Sequence, residues 1–335
     1  MTIRETLEEM ETRDLSPYAS LSSASEGRDR PEKEDDVRTF YMRDRDRILH
    51  CKAFRRLKDK TQVFLSPQGD HYRTRLLHTL EVSQLSRTVA RALRLNEELV
   101  EAIALGHDLG HTPFGHAGER TLHALCPAGF HHYEQSIRVV ERLERNGRGL
   151  NLTKEVRDGI LNHQMHTLPS TLEGRVVRLC DKIAYIHHDT DDAQRAGIFS
   201  EDMIPDSIRR VLGMNNKDRL DTLIMDLISQ SVNKPDICQT PELHEAMMDL
   251  RRLLFDVVYT DSIAKREEVK VTRMLEQMYR YYLDRPEEMS AEYRMLLQEG
   301  EPLERVICDY ISGMTDQYCI HIYNKIFIPE SWNVF

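Results

Sequence analysis

From Arg75 onward, apolar residues return every three or four positions, segment after segment, with little to interrupt them: the 335 residues include only 15 glycines and 12 prolines. That spacing buries one face of a helix, and the shortage of turn residues counts against a loop-rich all-β architecture. Helices are expected over 75–93, from the Asn96 cap to about Leu109, from Pro113 to Leu125, over His132–Glu144 and Thr153–Asn162, and from a cap at Ser170 or Thr171 to about Arg195. The pattern then stays helical over 216–231, 241–259, 266–284, 290–299 and 302–318. Upstream, Thr39–Lys58 places Phe40, Ile48, Leu49, Ala53 and Leu57 at helical spacing. Thr61–Leu65 and His71–Arg75, joined by Ser66-Pro67-Gln68-Gly69-Asp70, have the signature of a short hairpin. Residues 1–37 are Ser-rich and charged without a period, and are read as an arm, flexible or draped on the body. No period of 20–50 residues recurs, so the chain is not a solenoid. The expected fold is all-α with one short β-hairpin: an arm (1–37), a central domain (38–200) and a C-terminal helical region (201–335) packed on it.

Composition removes other classes. The longest stretch free of Asp, Glu, Lys and Arg, Gly159–Leu172, is shorter than a transmembrane helix and contains two histidines. Met1-Thr2-Ile3-Arg4-Glu5 leads into no apolar core, so no signal peptide is expected. Six cysteines without a CxxC pair fit unpaired thiols in a reducing cytoplasm, the expected location. A net charge of −10 gives no bulk attraction to nucleic acid or to an anionic membrane, so neither is an expected partner. Arg43–Lys60 (RDRDRILHCKAFRRLKDK) is locally basic. It reads as a solvated face with local ion pairs, or as a polyanion site if a chemical centre lies nearby.

Such a centre is indicated by histidine. Six of the 15 histidines fall between His107 and His132, and His71 and His78 bring the number to eight within 62 residues. The heart of the cluster, HDLGHTPFGHAGE from His107 to Glu119, closes the apolar run Leu99–Gly106. Adjacent polar side chains ending a buried helix are costly unless something satisfies them. One divalent metal would do so. Imidazole with carboxylate suits Mn, Fe, Mg or Co better than a closed structural zinc. Two residues cannot hold a catalytic metal alone; His78 in RLLHTLEV and Asp181 in LCDKIAY are polar positions in helical apolar stripes.

The order His78…His107-Asp108…Asp181 is that of the HD phosphohydrolase superfamily. The chain from about Tyr18 into its C-terminal half resembles the bacterial dGTP triphosphohydrolase-like proteins of that superfamily. The carrying segments are RDRDRILHCKAFRRLKDKTQVF, GDHYRTRLLHTLEVSQLSRTVARALRLNEELVEAIALGHDLGHTPFGHAGE, FHHYEQSIRVVERL, GLNLTKEVRDGILNH and CDKIAYIHHDTDDA. The resemblance implies an HD catalytic domain over 38–200, metal ligands His78, His107, Asp108 and Asp181, and hydrolysis of a deoxynucleoside triphosphate to deoxynucleoside and tripolyphosphate. It places the catalytic histidine and its acidic partner on His116 and Glu119, and further active-site histidines on His111 and His132. Gln62, Tyr185 and Asp189 fall on sugar-reading positions, and Tyr133 stands where relatives often carry Asn.

The residues agree with that assignment. His116 and Glu119 share a helix face, as do Asp181, Tyr185 and Asp189. Arg75 and Lys182, close in sequence to ligands, are natural phosphate partners. The resemblance further implies a homo-oligomer responsive to a regulatory dNTP, for which Arg43, Arg45 and Arg47 offer a second anion site unless Asp44 and Asp46 neutralise them. Competing readings are an HD phosphohydrolase acting on another nucleotide phosphoester, and a nucleotide-sensing or single-strand-binding regulator without turnover. Product identification separates them.

Overall fold

Helix burial organises the chain as the periodicity requires. The computed structural model describes residues 1–62, 73–259 and 263–329, and among these residues the regular structure is helical, with no sheet. Most of the expected hairpin, residues 63–72, lies outside the described residues. Its flanks are joined by a single antiparallel bridge between Thr61 and Thr74.

The N-terminal segment is more ordered than its sequence suggests. It opens with α1 (Ile3–Asp14), which starts in a capping box: the Thr2 side chain accepts from the Glu5 N–H, and the Glu5 carboxylate accepts from the Thr2 N–H at 2.7 Å. The helix buries no residue, so it has no apolar period by which to be recognised. Beyond it the chain is pinned to the body. Ser20 donates to Glu173 through both its N–H and its hydroxyl at 2.9 Å, Ser25 and Glu26 donate to Glu155, and Arg28 pairs with the buried Asp44.

The expected 39–58 helix is two helices, α2 (Phe40–Leu49) and α3 (Lys52–Arg56). Cys51 turns extended between them, and the Glu144 carboxylate accepts the Lys52 and Ala53 N–H groups at 3.1 and 2.7 Å. A cap supplied from a residue so distant in sequence leaves no local signal. Next come α4 (Arg75–Leu93) and α5 (Glu97–Gly106), the latter capped by the Asn96 side chain. In α6 (Gly115–Leu125), Pro113 precedes the helix rather than sitting in its first turn. α7 (His132–Arg138) ends earlier than expected and passes through a π-helical turn (Val139–Leu143) into α8 (Glu144–Gly147). α9 (Lys154–Leu161) and α10 (Leu172–Arg195) follow, with Thr171 capping α10. After α11 (Asp206–Leu212) come α12 (Asn216–Ser231), α13 (Pro241–Tyr259), α14 (Ile263–Asp284) and α15 (Ala291–Gln298). The expected 302–318 helix is also two, α16 (Leu303–Ser312) and α17 (Asp316–Phe327). Gly313–Thr315 interrupt it, and the Thr315 side chain caps the second.

Two apolar cores result. One gathers α2, α4, α5, α9, α10, α12 and α13, burying Val82, Val100, Ile103, Ile160, Val177 and Leu250. The other packs α6 against α14–α17 through Leu122, Leu275, Met278, Ile307 and Ile311. Among the described residues no helix is long and apolar enough to cross a membrane. Acids answer the basic run: Arg43 and Arg47 pair with Glu32, and Arg45 with Asp46 and Glu98.

Candidate metal centre and active site

Helices of both cores contribute to one cleft of about 520 Å³. α4, α5 and α10 bring Arg75, His78, Asp108, Asp181, Lys182 and Tyr185 from the first core, and α6 brings His116 and Glu119 from the second. One small-residue contact sets the spacing. A Cβ on Gly110 would lie 2.2 Å from the Ser136 backbone nitrogen and 2.4 Å from the His132 carbonyl oxygen, so only glycine lets the turn after α5 rest on α7. The Ser136 hydroxyl seals that contact, accepting from the Gly110 N–H at 2.9 Å and facing the His107 carbonyl at 2.8 Å.

His107, at the end of α5, donates from Nδ1 to the Ala104 carbonyl at 2.7 Å. That bond fixes the tautomer and leaves Nε2 as a lone pair, buried and without a hydrogen-bond partner. Nε2 lies 3.4 Å from Asp108 Oδ1 and 3.7 Å from Asp181 Oδ1. His78 Nε2 lies 3.1 Å from Asp181 Oδ1 and 3.9 Å from Asp108 Oδ2. An orphaned imidazole lone pair facing two carboxylates is costly in a dry interior. A divalent cation removes that cost, and His78, His107 and Asp108 offer donor atoms within 4.8 Å of one another, a spacing that fits one, with Asp181 outside that grouping. A second grouping, Asp108 with His111 and His132, has comparable spacing but shares Asp108 with the first.

Charge at this centre is opposed on both sides. Burial would raise the Asp108 carboxyl, but Arg75 and a hydrogen bond from His111 hold it well below the usual carboxylate range. Asp181 behaves alike: burial opposes ionisation, and Lys182 with a hydrogen bond from His78 more than compensates. Arg75 donates from Nη1 to Asp108 Oδ2 at 2.7 Å, and its Nε and Nη2, also buried, have no partner. Lys182 donates to Asp181 Oδ2 at 2.8 Å.

The histidines form a second layer. His111 stacks on His132 with centroids 3.9 Å apart, and its Nε2 lies 3.3 Å from Asp108 Oδ1. Burial, reinforced by Arg75 and His132, pushes His111 well below the ordinary imidazole value, which keeps it neutral. Glu119 Oε1 accepts from Nδ1 and the backbone N–H of His132, both at 2.8 Å, while its Oε2 lies 3.5 Å from Nδ1 of the half-exposed His116. Burial opposes ionisation of Glu119, but His132 and His116 hold its carboxyl far below the ordinary value.

Gln62 is buried in the cleft wall with its Oε1 unpartnered, and Tyr185 lines the same wall. Asp189 is not at the cleft surface. It lies one turn beyond Tyr185 on α10, where burial raises its carboxyl to about 8, tempered by the Tyr185 hydroxyl. Tyr133 stacks on His131 and meets His132 edge-on.

Sequence reasoning overlooked several residues of the site. His163 donates from Nδ1 to the Ile160 carbonyl at 2.7 Å, and the Gln164 amide faces His132 Nε2 and His163 Nε2 at 2.9 and 2.8 Å. Burial, with His107 and His132 nearby, lowers His163 to about 3, so it stays neutral. The available signal was the pair of histidines in the longest uncharged stretch, which hydropathy alone made unremarkable. Arg251 and Phe255, one turn apart on α13, line the cleft too.

Residues 75–186 match the HD domain, and residues 237–325 match the phosphohydrolase-associated domain. The chain is 55% identical to the deoxyguanosinetriphosphate triphosphohydrolase-like protein of Caldanaerobacter subterraneus subsp. tengcongensis, over 99% of this chain and 98% of the relative. It is 49% identical to the protein of the same description from Clostridium perfringens strain 13, over 98% and 99% respectively. Among solved structures, a hypothetical protein from Aquifex aeolicus aligns with a TM-score of 0.48 at 19% identity, covering 85% of this chain and 71% of that one.

Proposed function

The chain belongs to the deoxyguanosinetriphosphate triphosphohydrolase-like family of HD phosphohydrolases, and on that premise we propose that it hydrolyses deoxynucleoside triphosphates, dGTP or a broader set, to deoxynucleoside and tripolyphosphate. One observation carries the reading most directly. Arg75, 2% exposed, keeps two unpartnered donors beside a carboxylate-imidazole cluster that fits a divalent ion. Buried, unspent guanidinium donors next to such a cluster suit a phosphate oxygen.

In this reading His78, His107, Asp108 and Asp181 hold the ion. When bound, it supplies Lewis-acid polarisation of the phosphoryl group and a more acidic water. Arg75 and Lys182, each already on a ligand carboxylate, orient the triphosphate and offset its charge. His116, held on α6 beside Glu119, reaches the reacting phosphate as acid or base, with Glu119 fixing its ring. His111 stays neutral and stacked on His132, which Glu119, Gln164 and His163 lock from three sides. Gln62 and Tyr185 bound the sugar, and Phe255, 55% exposed, offers its ring to the base. We carry forward a homo-oligomer that responds to a second dNTP as part of the proposal; because Arg43, Arg45 and Arg47 are engaged by acids, they lend it no support.

The decisive experiment incubates the purified protein with each dNTP and Mn, Mg, Co or Fe, and identifies the products. Tripolyphosphate with deoxynucleoside supports the assignment. Pyrophosphate with deoxynucleoside monophosphate would move it to another phosphoester reaction, and binding without turnover to a sensor.

A further inference from the structure

One buried carboxylate of the C-terminal helices meets two of the segments that flank the cleft. Asp316, the first residue of α17, is only 3% exposed. Its Oδ1 accepts from the Phe114 N–H at 2.9 Å, and its Oδ2 accepts from the Thr61 N–H at 3.1 Å and from the Thr61 hydroxyl. Thr61 directly precedes Gln62. Phe114 (φ +62°) and Gly115 (φ +55°) make the left-handed corner from which α6 departs, with His116 next in sequence. An aromatic residue rarely holds that conformation, and it persists only where its surroundings over-determine it.

A buried lysine makes a parallel connection. Lys60 donates from Nζ to the His111 carbonyl and, at 2.8 Å, to the Ser312 carbonyl. Its own carbonyl accepts from the Arg75 N–H at 3.0 Å, at the start of α4. The segment 60–62, the loop 111–116 and the α16–α17 junction are thus joined by two buried side chains, Asp316 and Lys60.

We propose that Asp316 is a positioning residue: it holds the segments that carry Gln62 and His116 in a single register, so that the C-terminal helices set the alignment of the hydrolytic site. The proposal rests on the assignment of Gln62 and His116 to dNTP hydrolysis. The carboxylate itself touches neither residue's side chain. It acts by fixing their backbones, which is why three donors converge on it rather than a substrate.

The test is Asp316→Asn, which keeps the shape but replaces an acceptor oxygen with a donor. With dGTP and saturating metal, kcat should fall at least tenfold, with KM within threefold of the wild type and unchanged metal content. Hydrogen exchange over residues 111–118 should quicken at least tenfold while α4 and α10 stay protected. A kcat within twofold of the wild type, or wild-type exchange at Thr61 and Phe114, overturns the proposal. Should Asp316→Asn fail to fold, the Thr61 hydroxyl decides. A threefold or greater loss of kcat in Thr61→Val with near-normal Thr61→Ser supports the proposal, and an unaffected Thr61→Val overturns it. If the wild type turns over no dNTP, the functional assignment has failed, and exchange in these variants still judges the Asp316 connection on its own.

Discussion

Glu119 is bonded more closely to His132 than to the histidine on its own helix: 2.8 Å from Oε1 to His132 Nδ1, against 3.5 Å from Oε2 to His116 Nδ1. One carboxylate therefore orients two imidazoles and ties α6 to α7. Groups that act as a unit lose their effects non-additively. His116→Ala should lower kcat by roughly 10²–10⁴-fold, the usual worth of a positioned acid or base. Glu119→Gln should cost at least as much, and the double variant no more than the worse single one. Single-turnover rates with dGTP, alongside metal content, measure this, and multiplying losses would show that the two act separately.

The unpartnered Nε2 of His107 leads to a metal prediction. Asp108→Asn removes charge between His107, His111 and Arg75 while keeping volume. It should reduce bound divalent ion from about one per chain to a trace and lower turnover more than 100-fold, an order-of-magnitude expectation for a metal that polarises the reacting phosphate. Elemental analysis after gel filtration reads it directly. Full metal content in the variant would remove Asp108 from the ligand set.

Much of this centre was legible because chemistry and periodicity coincide there. His78 and Asp181 interrupt apolar stripes, and His107-Asp108 closes a helix whose last five residues, Ala102–Gly106, are all apolar and buried. Gln164 and His163 escaped because they lie in a loop with no period, and their role arises from a hydrogen-bonded network assembled by three separate elements. Asp316 was hidden for a related reason: in sequence it is a first-turn acid of a helix, and its partners Thr61 and Phe114 are brought to it only by tertiary packing. The split of the 39–58 helix had the same origin, a cap supplied by Glu144. Helix α1 was missed because its signal lay in its cap rather than its face.

Phe255 lines the cleft and is 55% exposed, so its ring is accessible to a bound base. Phe255→Ala is expected to raise KM for dGTP about tenfold, within the usual range for base–aromatic stacking. The loss should exceed that seen with deoxyribose 5-triphosphate, which has no base. Equal losses with both substrates would place the ring elsewhere than against the base.

Asp189 gives a prediction in pH. Its carboxyl titrates at about 8 in the folded protein because burial disfavours the charge, against an ordinary value of 3.8. Between these values the unfolded chain has released the proton and the folded chain retains it. Linkage then makes the folded state lose stability as pH rises across that window, with the full contribution present below about 4 and the decline ending near 8. Asp189→Asn cannot titrate and keeps an oxygen facing Tyr185. The variant's melting temperature should therefore gain on the wild type steadily from pH 4 to pH 8, by an amount on the order of several degrees, and level off above. A melting-temperature difference that stays constant across pH 4–8 would mean that Asp189 is ionised in the fold, and that water or a cation reaches it.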